Sequence, residues 1–438
     1  MNKPEVQVMT KNKTFHRVSL IGRLFLSMLF LLSVLTACKT AASETTAPGE
    51  TAAGDSAEEA GAQEQEKETD GGEMSSWREA VDKMFEDPYG DYSVAGGEIA
   101  LLTDGDVEDG GYNEALYNGV RMYALGAGVS FSYYNADPEV PESYGERMER
   151  AIQDGAGLIV CAGYRFGEAV GDLESAYPQT SFLLVDAVPH NAADEEVSIK
   201  ENVHCILFHE EQAGYLAGYM AVWEGYRSLG FIGGSFVDHD LLDPEFGYRK
   251  EEPPVLRYGY GYLQGIDAAA KDLSLDDVTV HYWDAGTFSA DDTVREKAAS
   301  WYENGVQVIF ACGGGLYESV LDAADEKDGL MIGVDVDQCR VSDRVLTSAV
   351  KNIGPAVTDA LDEYYAEGGW SAEDAGQVKR YGVEEGCAAI PVVDTEWRFQ
   401  VIPTTHFFEI YKQMKRGDRT VSDAIDAPPQ VAVSVHFE

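Results

Sequence analysis

The stretch "TDGDVEDGGYNEALYNG", Thr103 to Gly119, gathers groups that bind small polar molecules. It follows the apolar run "EIALL" and leads into a helix-like segment. Tyr112 offers a flat face for stacking, and Asn113 offers both a donor and an acceptor. A purine edge presents both kinds of group, so an amide can pair with it at two points. Asp104, and Asp335 in "GVDVDQ", accept hydrogen bonds from hydroxyls such as a sugar supplies. For Asp104 and Asn113 a second reading stays open, since both residue types also cap turns and helices.

Catalytic signatures are missing. The eight histidines form no HExxH or other ligand spacing, and there is no GxSxG elbow or Walker motif. "CAGYRFGEAV" lacks the GxGxxG of a dinucleotide site. "VDHDLLD", Val237 to Asp243, reads as a solvated loop, because its spacing fits no metal-ligand pattern. No enzyme, cofactor or metal is expected. The formal charge of -45 argues against nucleic acid as a partner, since phosphate binding depends on Lys and Arg.

A chain of 438 residues with 45% apolar content has material for about two domains. From about Gly96 onward, short apolar runs alternate with amphipathic stretches. The expected strands are "EIALLT", "VSFSYY", "GLIVCAG", "SFLLVDA", "VHCILF", "SLGFIGG", "VTVHYWD", "VQVIFACGG", "LMIGVDV" and "VLTSAV". This alternation predicts an α/β fold with parallel sheets. Several strands are apolar throughout, as when helices cover both faces. Ten strands divide best near Glu210, where "FHEEQAGYLAGYMAVWEG" predicts a long helix. The expectation is two doubly wound parallel-sheet domains with a ligand cleft between them. Ligands of such sheets lie beyond the carboxyl ends of the strands. That puts the opening stretch, "ACGGGLYES" and "GVDVDQ" on one cleft.

The first residues read as an address. Basic residues precede the twelve-residue apolar run "LFLSMLFLLSVL", which is too short to span a bilayer and fits a signal peptide. The run ends in "LTAC", which resembles the lipobox of bacterial lipoproteins and marks Cys38 for lipidation. Residues 1–37 are the expected signal peptide. Residues 38–75 have a composition that cannot bury enough surface to order itself, and read as an acidic tether. The other five cysteines sit in or beside apolar runs and read as small buried hydrophobes.

The motifs, in order, resemble those of the basic membrane protein family of substrate-binding lipoproteins, which includes purine nucleoside receptors of ABC importers. The opening motif is one residue shorter than the family's, with Tyr112 where the family has phenylalanine. "AGLIVCAGYRFGEAV", "NVHCILFHEEQAGYLAG", "LGFIGG", "DAGTFSADDTVREKA", "VIFACGGG", "MIGVDVDQ" and "VLTSAVKN" follow in the family's order. "SFVDHDLLDPEFGYRKEEPPVLRYGYGY" is longer than its counterpart.

The resemblance implies a type I periplasmic-binding-protein fold with three crossovers. Its lobes would be residues 96–209 with 352–385, and 210–351 with 386–438. It also implies a base held between aromatic rings and a ribose held by acidic and basic side chains. By position, Asp104, Tyr112 and Asn113 belong to the first motif, Asp335 to the ribose, Lys351 near it, and Gly313 and Gly314 to a turn lining the cleft. Asp186 is a further candidate, and Phe310 and Tyr317 both stand near the place of the second aromatic. The implied function is an extracytoplasmic, membrane-anchored lipoprotein that delivers a purine nucleoside to an ABC permease. A sugar or another small ligand in the same fold, or a sensor input, stays open.

Overall fold

The computed structural model describes residues 97–107, 109–134, 143–193, 197–234, 254–393 and 395–438. The signal peptide, Cys38, the tether and the longer loop's residues 235–253 lie outside the described residues.

The ten apolar runs all become strands: β1 (Ile99–Leu102), β2 (Phe131–Tyr134), β3 (Leu158–Ala162), β4 (Ser181–Val185), β5 (Val203–Phe208), β6 (Ser228–Gly233), β7 (Thr279–Asp284), β8 (Val308–Cys312), β9 (Leu330–Asp335) and β10 (Val345–Lys351). Three short strands join them: β11 (Gln377–Tyr381), β12 (Ala388–Ala389) and β13 (Ser434–Phe437). Two sheets result, in the orders β11-β5-β4-β3-β1-β2 and β12-β10-β9-β8-β6-β7-β13. All pairings are parallel except β10 with β12.

Alternation along a strand shows why these runs are apolar throughout. In β1, Ile99 and Leu101 enter one buried cluster while Ala100 and Leu102 enter another. In β8, Val308, Phe310 and Cys312 face one cluster and Ile309 and Ala311 the other. Helices therefore cover both faces of each sheet. The chain passes between the sheets three times: from β5 to β6, from β10 to β11 and from β11 to β12.

The helices are α1 (Tyr112–Ala127), α2 (Tyr144–Gln153), α3 (Phe166–Leu173), α4 (Glu210–Glu224), α5 (Pro254–Leu273), α6 (Asp292–Glu303), α7 (Leu316–Lys327), α8 (Ile353–Glu367) and α9 (Thr404–Lys415). Of these, α4 carries the first crossing and is buried from Ala213 to Val222. It packs on α5 at backbone distance. A Cβ added at Gly261 would lie 2.0 Å from the Glu211 carbonyl oxygen, and one at Gly265 would lie 2.0 Å from that of Tyr215. Gly214 and Gly218 face Tyr258 and Tyr262 in the same way. All five cysteines in the described part are buried and unbridged, as their apolar settings predict.

Candidate functional site

Strand ends of both sheets converge on Lys351, the last residue of β10. Its side chain is 4% exposed. The ammonium binds Asp186 Oδ2, just beyond β4 in the first sheet. It lies 3.5 Å from Asp335 Oδ1, at the end of β9, and 3.8 Å from Glu210 Oε1, at the start of α4. It also sits 5.1 Å from the centre of the Tyr112 ring and 5.7 Å from that of Phe208. Such placement over aromatic faces favours a cation. Tyr258 of α5 donates to Asp335 Oδ1 at 3.0 Å.

Asp186 and Asp335 share a backbone peculiarity. Their φ angles are 63° and 64°, the left-handed region that side chains other than glycine seldom occupy. Each stands just past, or ends, the corresponding strand of its sheet, β4 and β9. Strain of this kind persists where surrounding structure holds it, and it clusters at binding sites.

The opening stretch forms the loop from β1 to α1. Asp109 takes the capping role, accepting from the backbone N–H groups of Gly111, Asn113 and Glu114 at 2.8, 3.0 and 3.2 Å. Asp109 Oδ2 also accepts from Asn113 Nδ2 at 2.9 Å. Asn113 is thereby fixed, with its Oδ1 buried and unpartnered. Arg147 of α2 donates to the Thr103 carbonyl at 3.0 Å and holds the loop from below. Asp104 stays open to solvent beside Gly163, where an added Cβ would lie 3.4 Å from its Oδ2. Partial desolvation by the surrounding protein still raises its carboxyl's pKa, with Arg165 opposing.

The aromatic candidates separate. Phe310 is fully buried, edge-on to Phe231 and Tyr262 inside the second sheet's core. It sits mid-strand on the α5 face, so it belongs to the core and not to a strand end. Tyr317, in the first turn of α7, is half-buried against the other face of that sheet. Its hydroxyl feels Asp109 from across the cleft rim, after burial and Glu318. Phe288, in the loop after β7, is 50% exposed. It lies on the glycine turn: an added Cβ at Gly313 would be 2.9 Å from its ring, and one at Gly314 2.6 Å from its carbonyl oxygen. Gly313 and Gly314 are therefore the seat of this ring, with φ of 136° and 45°.

Residues 97–417 match the family described as ABC transporter substrate-binding protein PnrA-like. The chain belongs to this family. Relatives agree: it is 28% identical over 302 residues to basic membrane protein B of Borreliella burgdorferi, covering 67% of this chain and 80% of that one. It is 26% identical over 290 residues to the ABC transporter nucleoside-binding protein BmpA of Lactococcus lactis, covering 61% of this chain and 74% of that one. Among solved structures, an ABC transporter solute-binding protein of Aeropyrum pernix shares the fold with a TM-score of 0.59 at 19% identity, over 75% of this chain and 94% of that one. One from Conexibacter woesei does so with a TM-score of 0.56 at 18% identity, over 74% and 98%.

The Lys351 cluster has the electrostatics of a crowded acidic group. Burial raises the Asp335 carboxyl, with Lys351 pulling it down and Asp186 pushing it up. Burial alone would lower the Lys351 ammonium, but Asp186, Asp335 and Glu210 outweigh it and raise it. Two residues that the sequence reading did not name stand beside the candidates, Glu210 at the Lys351 cluster and Phe288 on the Gly313–Gly314 turn. Both signals were present. Glu210 opens an acidic pair directly after an apolar strand, and Phe288 is an apolar ring in a polar loop directly after one.

Proposed function

We propose that this chain binds a purine nucleoside at the Lys351 cluster and delivers it to an ABC permease from the outer face of the membrane. One observation carries the reading. Asn113 Oδ1 and Asp186 Oδ1 are buried acceptors without partners among the described residues, and Glu210 Oε2 is a buried oxygen beside them that also has none. Leaving such atoms unpaired costs about 1–3 kcal/mol each, so a donor-rich molecule gains most there. A nucleoside offers hydroxyls and ring N–H donors on one face and an apolar plane on the other. In this reading Tyr112 and Phe288 flank the base, and Asp186 and Asp335 accept from the ribose. In this reading the lobes are residues 96–209 with 352–385 and 210–351 with 386–438, each built round one of the two sheets. The BmpA relative's name points the same way.

Calorimetry with inosine, guanosine, adenosine, their bases, ribose and glucose tests this. Tyr112→Ala should weaken nucleoside and free base alike by about 1–3 kcal/mol, the usual worth of stacking on a base. Asp335→Ala should weaken the nucleoside by about 1.5–3 kcal/mol, a charge-assisted bond's worth, and spare the base. A wild type that binds only ribose or glucose would replace the nucleoside with a sugar.

Cys38 is the proposed anchor, because "LTAC" ends the apolar run. Mass spectrometry of membrane-extracted protein should find a diacylglyceryl group on it. Cys38→Ala should leave the protein unlipidated and without its membrane hold, and a variant that still sediments with membranes contradicts the anchor.

A further inference from the structure

We propose that Glu210 contacts the bound molecule as a carboxylic acid, donating a hydrogen bond from Oε2 to an acceptor on the ligand. This rests on reading the Lys351 cluster as the ligand site. Glu210 is 2% exposed and heads α4, where the chain enters from the first sheet. Its Oε1 lies 3.8 Å from the Lys351 ammonium, and its Oε2 has no partner.

The groups around it explain its state. Asp186, from the loop after β4, and Asp335, from β9, share the same Lys351. Three ionised carboxylates on one ammonium would leave a net charge of minus two in a buried space. Glu211 does not relieve this, because it pairs with Arg257 of α5 at 3.4 Å and with His209 at 2.7 Å. Tyr258 of α5 gives its hydroxyl to Asp335, and Cys312 of β8 is a buried thiol. Burial, opposed by Lys351 and reinforced by Asp186 and Glu211, pushes the Glu210 carboxyl up to about 8. The direction favours the protonated form, and in this proposal Glu210 carries a proton at neutral pH. Asn113 and Asp186 supply unpartnered acceptors, and Glu210 supplies the complementary donor.

Inosine affinity is measured by calorimetry from pH 6 to 9.5, with ribose and glucose in parallel. If binding needs the proton, the dissociation constant of the wild type rises about tenfold per pH unit above about pH 8. Glu210→Gln keeps a donor and a similar shape, so it should bind within about threefold of wild type at pH 6.5 and stay flat to pH 9.5. Glu210→Leu should bind at least about tenfold more weakly at every pH. Parallel wild-type and Glu210→Gln profiles, or a Glu210→Gln variant as weak as Glu210→Leu at pH 6.5, overturn the proposal.

Melting of the unliganded protein separates this from the nucleoside reading. The folded carboxyl sits near 8 against an ordinary 4.5. The folded state thus holds a proton that the unfolded chain has released between those values. Wild-type stability should fall as pH rises through that window and level off above it, relative to Glu210→Gln. If no probe binds, the nucleoside reading fails while the melts still decide the proton. Equal pH slopes in the two proteins overturn it.

Discussion

Replacing Lys351 with methionine should remove about 3–5 kcal/mol of stability at pH 7, the cost of breaking a buried ion cluster from one side. Methionine keeps most of the side-chain volume, so a cavity is not the cause. What it removes is the positive charge that, among the described residues, faces Asp186, Asp335 and Glu210 together. Against a total stability of about 5–15 kcal/mol, that loss is large. It should shrink at pH 5, where the Asp335 carboxyl, already pushed upward by burial, takes up a proton more readily. Urea unfolding followed by circular dichroism at pH 5 and pH 7 measures both values. A loss below about 1 kcal/mol at pH 7 would mean that the cluster is far better hydrated than its burial implies.

Gly261→Ala should destabilise the protein by about 2 kcal/mol or more, although alanine is the better helix former. The propensity gain is about 1 kcal/mol. The new methyl would stand 2.0 Å from a main-chain carbonyl oxygen, which cannot rotate away as a side chain could. Overpacking costs about 1–3 kcal/mol in ordinary cores, and a backbone neighbour puts this case at the upper end. The helices α4 and α5 must then separate, and they carry Glu210 and Tyr258, so inosine affinity should fall too. Gly126→Ala and Gly145→Ala are the controls. Both lie in helices where an added Cβ meets nothing within 4 Å, so both should be neutral or mildly stabilising. A Gly261→Ala melt at or above wild type would show that the two helices have slack.

Much of this fold could be read before any coordinates. All ten apolar runs are strands, because a strand buried on both faces leaves an unbroken apolar signature. The strands missed are those without it. β11 reads "QVKRY", an edge strand with mostly solvated side chains, β12 has two residues, and β13 reads "SVHF". For the candidate site, the sequence pointed to strand ends, and Asp186, Asp335, Lys351 and Tyr112 do meet there. The second aromatic was harder: the sequence offered Phe310 and Tyr317, and Phe288 was not among the candidates. A ring two positions from a strand end and a ring in a loop differ in sequence by little, but in space by a whole layer of the core.

The left-handed aspartates belong to a larger pattern. Apart from β13 at its edge, the second sheet repeats the strand order of the first, with β6 to β10 standing for β1 to β5. Gly163 and Gly313 begin equivalent turns after β3 and β8, both at positive φ. Asp186 and Asp335 thus approach one lysine as near-equivalents from two halves of a duplicated frame. Such a frame has no built-in sense of direction, whereas any nucleoside does. In the nucleoside reading, orientation comes from what the halves do not share, among them Lys351 where the first half has Phe208, Tyr112 and the fixed Asn113 on one side, and Phe288 on its glycine seat on the other. In the reading proposed above both rings flank the base, so removing them, with the carboxylates untouched, takes away what distinguishes one end of that ligand from the other.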